Sequence, residues 1–431
     1  MNTNEKLFDF LARSTDSFHT VAAAAGRLEE CGFTPLCEAD TWKLEGGQKY
    51  YVTRNQSSLI AFAVPETVQG GFMMCAAHSD SPTFKIKENP ESESAGMYVK
   101  LNTERYGGML CSTWLDRPLS VSGRVVVREG GRIVSRLVQI DRDLLLIPNV
   151  AIHMMRSAND GMSYNANVDM FPLMGSAAVR GMLIEAVAEA AGVKKEDILS
   201  HDLYLYNRAH GVVWGAADEF ISAPGLDDRQ CVFGALEGLV HAESTGAIPV
   251  LASLDNEEVG SQTKQGAAST FLSDVLERVC GALSLDYRRT VSQSFLVSAD
   301  NAHAVHPNHP EFADANHRPR MNGGIVIKHN ANQRYTTDAV SQAIFASVCE
   351  AAGVPVQYFA NRSDMPGGST LGNISNTQIS LNTVDIGLAQ LAMHSSFETA
   401  GGHDTEYLIT AMTRFYSSVL RMHSDGTYEI R

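Results

Sequence analysis

Several stretches of this chain are apolar at nearly every position rather than alternating, and each is only as long as a strand. Residues 71–77, 249–254, 294–299, 324–328 and 383–387 are of this kind, each bounded by polar or turn-forming residues. A strand that is apolar on both faces must be covered on both faces, as in a parallel sheet between two layers of helices. Helical periodicity supplies the layers. Apolar positions recur at three- and four-residue spacing in 5–11, 18–31, 230–241, 270–285, 337–352 and 405–423, the second of these ended by Gly32 and Pro35. Further strands are expected at 49–53 and 58–64.

Between residues 88 and 208 the pattern changes. Segments such as Val121-Ser122-Gly123-Arg124-Val125-Val126-Val127 and Arg132-Ile133-Val134-Ser135-Arg136-Leu137-Val138 alternate, and Glu129-Gly130-Gly131 supplies a turn between them. Alternation with tight turns predicts antiparallel strands. The expected fold class is therefore α/β: a central, mainly parallel sheet flanked by helices, formed by 1–87 and 209–431, with an inserted β-rich domain at 88–208.

Composition narrows the classes of function. Of 431 residues, 44% are hydrophobic and 19% charged, which suits an ordinary globular protein. Lys and Arg number 34 against 49 Asp and Glu, for a net charge of −15. Such a surface argues against nucleic acid or an anionic membrane as partner, because phosphate binding is driven by cationic side chains. The first residues show no basic segment followed by an apolar one, and no apolar run reaches the roughly 18 residues of a bilayer span. A cytoplasmic location is expected. The seven cysteines are scattered, with no Cys-x-x-Cys, so reduced thiols are expected and a thiolate zinc site is not.

The chemistry lies where the apolar strands end. In an open parallel sheet, sites form beyond the carboxyl ends of the strands. His78-Ser79-Asp80 follows 71–77, Asp255-Asn256-Glu257-Glu258-Val259-Gly260-Ser261 follows 249–254, and Asp300 follows 294–299. Adjacent acids that point different ways can divide two tasks: Glu258 can bind a metal while Glu257 acts as general base. Asp80 can steady the imidazole of His78. Leu226-Asp227-Asp228-Arg229 opens a helix, where an Asp is either a cap or a carboxylate shared by two cations roughly 3.5–4 Å apart; the sequence hardly separates Asp227 from Asp228. His394 comes late, near Glu398. His303, His306 and His309 lie in a proline-stiffened loop and rank below Asp300 as ligands. No phosphate-binding loop and no Gly-x-Ser-x-Gly elbow is present, and a pair of glycosidase carboxylates leaves the histidines unexplained. A two-metal hydrolase accounts for more residues.

In order and spacing, these motifs resemble the aspartyl aminopeptidases, dinuclear zinc exopeptidases. The resemblance spans nearly the whole chain, including Ile147-Pro148-Asn149-Val150-Ala151-Ile152-His153, His306-Pro307-Asn308 and Lys328-His329-Asn330-Ala331-Asn332-Gln333-Arg334-Tyr335. It implies two Zn2+ per subunit. Asp227 bridges them, and His78, Asp300, Glu258 and His394 complete the two sites. It further implies Glu257 as general base, Asp80 as the partner of His78, and His153 as a residue reaching a neighbouring subunit's site. Lys328 and Tyr335 are implied as substrate-binding, Lys328 offering a cation to an acidic first side chain. The inserted domain is implied to mediate dimerisation within a homo-oligomer, a hollow dodecamer built from dimers. Asp228-Arg229 stands where many relatives carry Asn-Leu, and Pro366-Gly367-Gly368 also departs from the family pattern, which bears on substrate preference more than on chemistry.

The expected activity is hydrolysis of the N-terminal residue from peptides, with preference for Asp or Glu, by water activated between the zinc ions; Co or Mn are tolerated substitutes at His/carboxylate sites. Two alternatives use the same residues. A related dinuclear deacylase or carboxypeptidase would recognise an acyl group or free carboxylate in place of the α-amine. A non-catalytic, zinc-stabilised assembly protein would have a saturated coordination sphere.

Overall fold

The computed structural model describes residues 1–243 and 245–431. Contacts divide them into two units. The first comprises Met1–Asp80, Gly211–Met393 and Glu398–Arg431, and the second Ser81–His210 with His394–Phe397.

The first unit is built on a mixed sheet. At its centre run four mutually parallel strands in the order Ile248–Leu254, Phe72–His78, Phe295–Ala299 and Asn382–Leu391. Antiparallel neighbours extend it: Ser58–Ala63 beside Ile248–Leu254, and Ile325–His329 and Glu398–Gly401 beside Asn382–Leu391. Phe72–His78 is buried at all seven positions, and its side chains alternate between two cores. Met73, Cys75 and Ala77 face the core that also contains Phe10, Leu28, Phe233, Phe345 and Phe415. Phe72, Met74 and Ala76 face the one containing Phe271, Leu276 and Leu371. Helices Thr3–Arg13, Ser17–Glu30, Leu226–His241, Ala339–Ala352 and Asp404–Tyr416 thus cover one face, and Phe271–Ala282 and Leu371–Gln378 the other. Period-two alternation between two apolar layers is why the strand reads as a continuous apolar run.

Register is what matters for function. Leu254 pairs with His78, Ser298 with Ala76, and Ala299 with Ile386. Ile248–Leu254, Phe72–His78 and Phe295–Ala299 therefore end nearly level, while Asn382–Leu391 runs on past them, and the residues just beyond the three (Asp80, Asp255–Glu258, Asp300) emerge at the same end of the sheet.

The second unit is a six-stranded antiparallel sheet in the order Arg132–Gln139, Leu119–Glu129, Ile198–Asn207, Thr83–Ser94, Tyr98–Tyr106, Leu173–Ser176. Helix Met182–Ala191 packs Leu183 and Val187 into its core with Phe84, Leu101, Trp114 and Val121. The strand Thr83–Ser94 runs across the expected division at 87/88.

Three local expectations differ from the structure. The apolar period of 405–423 predicts one helix, but it ends at Tyr416, and Leu420–Ser424 instead forms a hairpin with Thr427–Ile430. Ser417, Ser418 and β-branched Val419 weaken the helix there, and Asp425-Gly426 supplies the turn. Helices Met182–Ala191 and Leu371–Gln378 were not expected. The first lies in the segment whose alternation predicts a β-rich domain, and the second opens on a Gly-rich stretch that reads as loop.

Candidate metal and catalytic site

His78 ends its strand with 1% of its surface exposed. Its backbone N–H donates to Asp228 Oδ2 at 3.1 Å. Its ring lies between two acids: Nδ1 is 3.1 Å from the Asp80 carbonyl and 3.4 Å from Asp80 Oδ1, and Nε2 is 3.5 Å from Asp227 Oδ1. Burial works against the imidazolium, but the bonds to Asp227 and Asp80 prevail and hold His78 well above the usual range.

Asp227 and Asp228 lie at the start of the helix Leu226–His241, in non-helical conformations and joined by a cis peptide bond. The Asp227 N–H donates to Glu398 Oε2 at 2.9 Å. The two acids, which sequence could not tell apart, therefore differ in placement: Asp227 addresses the His78 ring and Asp228 the His78 backbone. Asp300 follows Phe295–Ala299, is 8% exposed, and lies 3.6 Å from Lys328 Nζ. Burial pushes Asp228 well above the usual carboxylate range; it raises Asp300 too, against the pull of Lys328.

Glu257 and Glu258 sit in the short 3-10 turn that follows Ile248–Leu254. Asn256 makes the corner at φ 62°, and its side-chain oxygen accepts from Thr263 and Gln265. Both glutamate N–H groups donate to one carboxylate, Asp80, each at 3.2 Å. Asp80 thus touches the His78 ring and also fixes the backbone of both acids. No residue spacing announces that second contact. Burial, reinforced by Asp300, Asp80 and Asp227, pushes the Glu257 carboxyl up to about 7 against the pull of His78. Asp255, 4% exposed, is also raised by burial and by Asp80, to about 7.

Ligand atoms of His78, Asp227, Asp228 and Asp300 lie within 4.8 Å of one another, all four residues buried, and those of His78, Glu257 and Glu258 form a second such group. The donor set fits a dication. Several carboxylates share a buried space with few cations, and burial drives up the pKa of Asp228, Asp300 and Glu257 for want of positive charge. Imidazole with carboxylates is a zinc donor set.

The remaining expected residues are placed as follows. His394 (φ 66°) follows the strand Asn382–Leu391 and belongs to the His394–Phe397 segment of the second unit, where its carbonyl accepts from the Leu110 N–H at 3.1 Å. His153 is exposed in the turn-rich stretch between Arg132–Gln139 and Leu173–Ser176. Lys328 and Tyr335 are together but buried, at 2% and 4% exposure. His303, His306 and His309 are exposed, and no ligand group among the described residues includes them. Asp255 opens the strand-end motif that carries Glu257 and Glu258, and Glu398 is the acid noted near His394, but sequence reasoning gave neither a role of its own in the site.

Residues 10–416 match the family described as aminopeptidase I zinc metalloprotease (M18). The chain is 44% identical over 424 residues to a probable M18 family aminopeptidase 2 of Clostridium novyi, covering 96% of this chain and 98% of the relative. It is 43% identical over 423 residues to the protein of the same description in Pseudomonas paraeruginosa, with the same coverage. Among solved structures, the cryo-EM structure of the Ape4 and Nbr1 complex matches with a TM-score of 0.92 at 35% identity, over 96% of this chain and 85% of that one. The S. cerevesiae mApe1 dodecamer matches with a TM-score of 0.86 at 29% identity, over 96% of each chain. The chain belongs to the M18 family of zinc metallo-aminopeptidases.

Proposed function

We propose that the protein is a dinuclear zinc aminopeptidase that removes the N-terminal residue of peptides, with Asp and Glu as preferred first residues. The observation that carries this reading is the gathering of His78, Asp227 and Asp300 in one buried group, with Glu257 and Glu258 beside His78. Asp227, His78, Asp300, Glu258 and His394 would hold the ions, Asp227 serving both, with cobalt or manganese as tolerated substitutes. Bound zinc would supply a Lewis acid for the scissile carbonyl and a coordinated water with its pKa lowered toward ~7.

Glu257 takes a proton from the attacking water and returns it to the leaving amine, a role that calls for a pKa near working pH. Asp80 keeps the His78 ring in one orientation and clamps the turn that carries Glu257, so base and ligand are held by one residue. His153 is assigned to the site of a neighbouring subunit. The second unit is assigned to dimer formation, and a dodecamer such as that of the mApe1 relative is the assembly proposed. The acidic preference follows from the resemblance alone. A cytoplasmic location agrees with the composition and with the lack, among the described residues, of a helix long and apolar enough to cross a membrane.

The test is release of the first residue from matched peptides beginning with Asp, Glu, Leu, Ala or Lys, each with a free and an acetylated α-amine, with and without chelator. The proposal expects chelator-sensitive release from free amines only, fastest for Asp and Glu. Cleavage of the acetylated series at an equal or greater rate would transfer the site to a deacylase, and release led by Leu or Ala would remove the acidic preference.

A further inference from the structure

His153 lies on an arm that leaves the second unit at one fixed corner. Residues 145–147 are stitched into that unit: Leu145 exchanges backbone bonds with Leu119 at 2.9 and 3.0 Å, Leu146 does so with Leu173 at 3.2 and 2.8 Å, and Ile147 is fully buried. Residues 148–154 are then all exposed, with Val150, Ile152 and Met154 at 43%, 48% and 82%. Among the described residues, no hydrogen bond ties Val150, Ile152 or His153 to another segment. The arm turns on itself instead, the Met154 and Met155 N–H groups donating to the Ala151 carbonyl at 2.8 and 3.1 Å.

Between core and arm stands Asp116. It follows the buried Trp114 and Leu115 in the left-handed conformation, at φ 56°, which Asp tolerates better than most side chains. Its N–H donates to the Ile147 carbonyl at 2.9 Å, and its two carboxylate oxygens accept from the Asn149 N–H and from Asn149 Nδ2, each at 2.8 Å. One residue thus holds the chain on both sides of Pro148, whose own φ is locked by its ring. His153 comes four residues after Asn149, a reach of up to ~14 Å. A ~10° change of direction at the root therefore carries the imidazole by up to about 2 Å, and a displacement of about 1 Å can cost about 10²-fold in rate.

We infer that Asp116 is a positioning residue for the neighbouring subunit's site, because its two-oxygen hold on Asn149 aims the arm that carries His153. The inference rests on the reading of His153 as a residue that acts in a neighbour's site. An anchor of this kind acts on the other chain, whereas a residue that only stabilised its own unit would act on its own.

The test uses full-length Asp116→Gly, which suits the positive φ while removing the carboxylate, and Asn149→Ala, which keeps the backbone bond and removes the side-chain one. Positioning predicts that Asp116→Gly loses about 10–100-fold in kcat/KM with zinc content unchanged, and that Asn149→Ala loses less; near-normal activity of Asp116→Gly would overturn it. The deciding readout is mixing by unfolding and reassembly in equal amounts. With Glu257→Gln, Asp116→Gly should recover up to roughly a quarter of wild-type activity, because in each mixed two-fold pair the site that keeps Glu257 receives the intact arm. With His153→Ala it should stay no higher than its own low activity, because neither site of a mixed pair receives a sound arm. Recovery with His153→Ala, or none with Glu257→Gln, would make Asp116 a stabiliser of its own subunit and overturn the inference. If Asp116→Gly does not fold, Asn149→Ala goes through the same two mixtures and the same patterns decide. If His153→Ala and Glu257→Gln do not restore each other, the reading of His153 fails and the inference falls with it; if they do, a failure of the other mixtures counts against Asp116 alone.

Discussion

Glu257 and Glu258 are neighbours in one short turn whose backbone is held by Asp80, and the division of labour proposed for them depends on what each carboxylate faces. In the sequence the pair points to a candidate site only together with His78, Asp227, Asp300 and His394, because two adjacent acids after a strand are a weak signal alone. The choice between Asp227 and Asp228 was not legible there, since both satisfy the same spacing and only the backbone geometry of the helix start separates them. Nor was the burial of Lys328, because a lysine at a strand end is ordinarily solvated. The raised carboxyl of Glu257 has a consequence for pH. A general base must be ionised, so activity should fall as pH drops through its pKa. Without metal that lies at about 7, and bound dications, favouring the carboxylate, move it lower. The acid limb of kcat/KM should therefore have its midpoint at or below about 7; activity that climbs on acidification from neutral pH would rule Glu257 out as the base.

Among elements, the fully apolar strands were the most legible, since only a doubly covered strand tolerates such a run. Peripheral strands and the short helices were less so: the hairpin after Tyr416 and the helix Met182–Ala191 are set by tertiary packing that local periodicity does not encode. The antiparallel flanks that make the sheet mixed were also hidden, because strand direction leaves little trace in a single sequence. One strand residue ties the sheet to the site. A Cβ at Gly387 would lie 2.1 Å from the Asp300 carbonyl oxygen and 2.9 Å from the Asn301 carbonyl carbon. Both are backbone atoms that cannot rotate away. Gly387→Ala should cost about 1–3 kcal/mol by overpacking and weaken zinc binding by displacing Asp300. Chemical denaturation and a zinc titration check both effects, and a variant with wild-type stability would show that the strands separate freely there.

For the molecule as a whole, the net charge of −15 is read from composition, and the change of pattern predicts an inserted segment at 88–208; contacts instead group Ser81–His210 with His394–Phe397, the last of which no pattern announces. How copies assemble is carried by the resemblance to relatives, because no monomer property specifies it. The proposal that His153 serves a neighbour's site has a direct test by mixing. His153→Ala and Glu257→Gln chains, each inactive alone, should regain up to roughly a quarter of wild-type activity when unfolded and reassembled together, since half of randomly formed two-fold pairs are mixed and each has one complete site. No recovery from a mixture shown to contain mixed oligomers would place His153 in its own subunit's site or outside catalysis.

The central claim is that a metal cluster and a separate base share the edge of one sheet. It is tested most directly by measuring zinc per chain and peptide turnover together in Glu257→Gln, beside the wild-type protein. The account predicts unchanged zinc content with turnover lowered by about 10²–10⁴-fold, the contribution typical of a general base. Loss of zinc in parallel with activity would make Glu257 a ligand, and near-normal turnover with full zinc would mean that the proton is handled by another group.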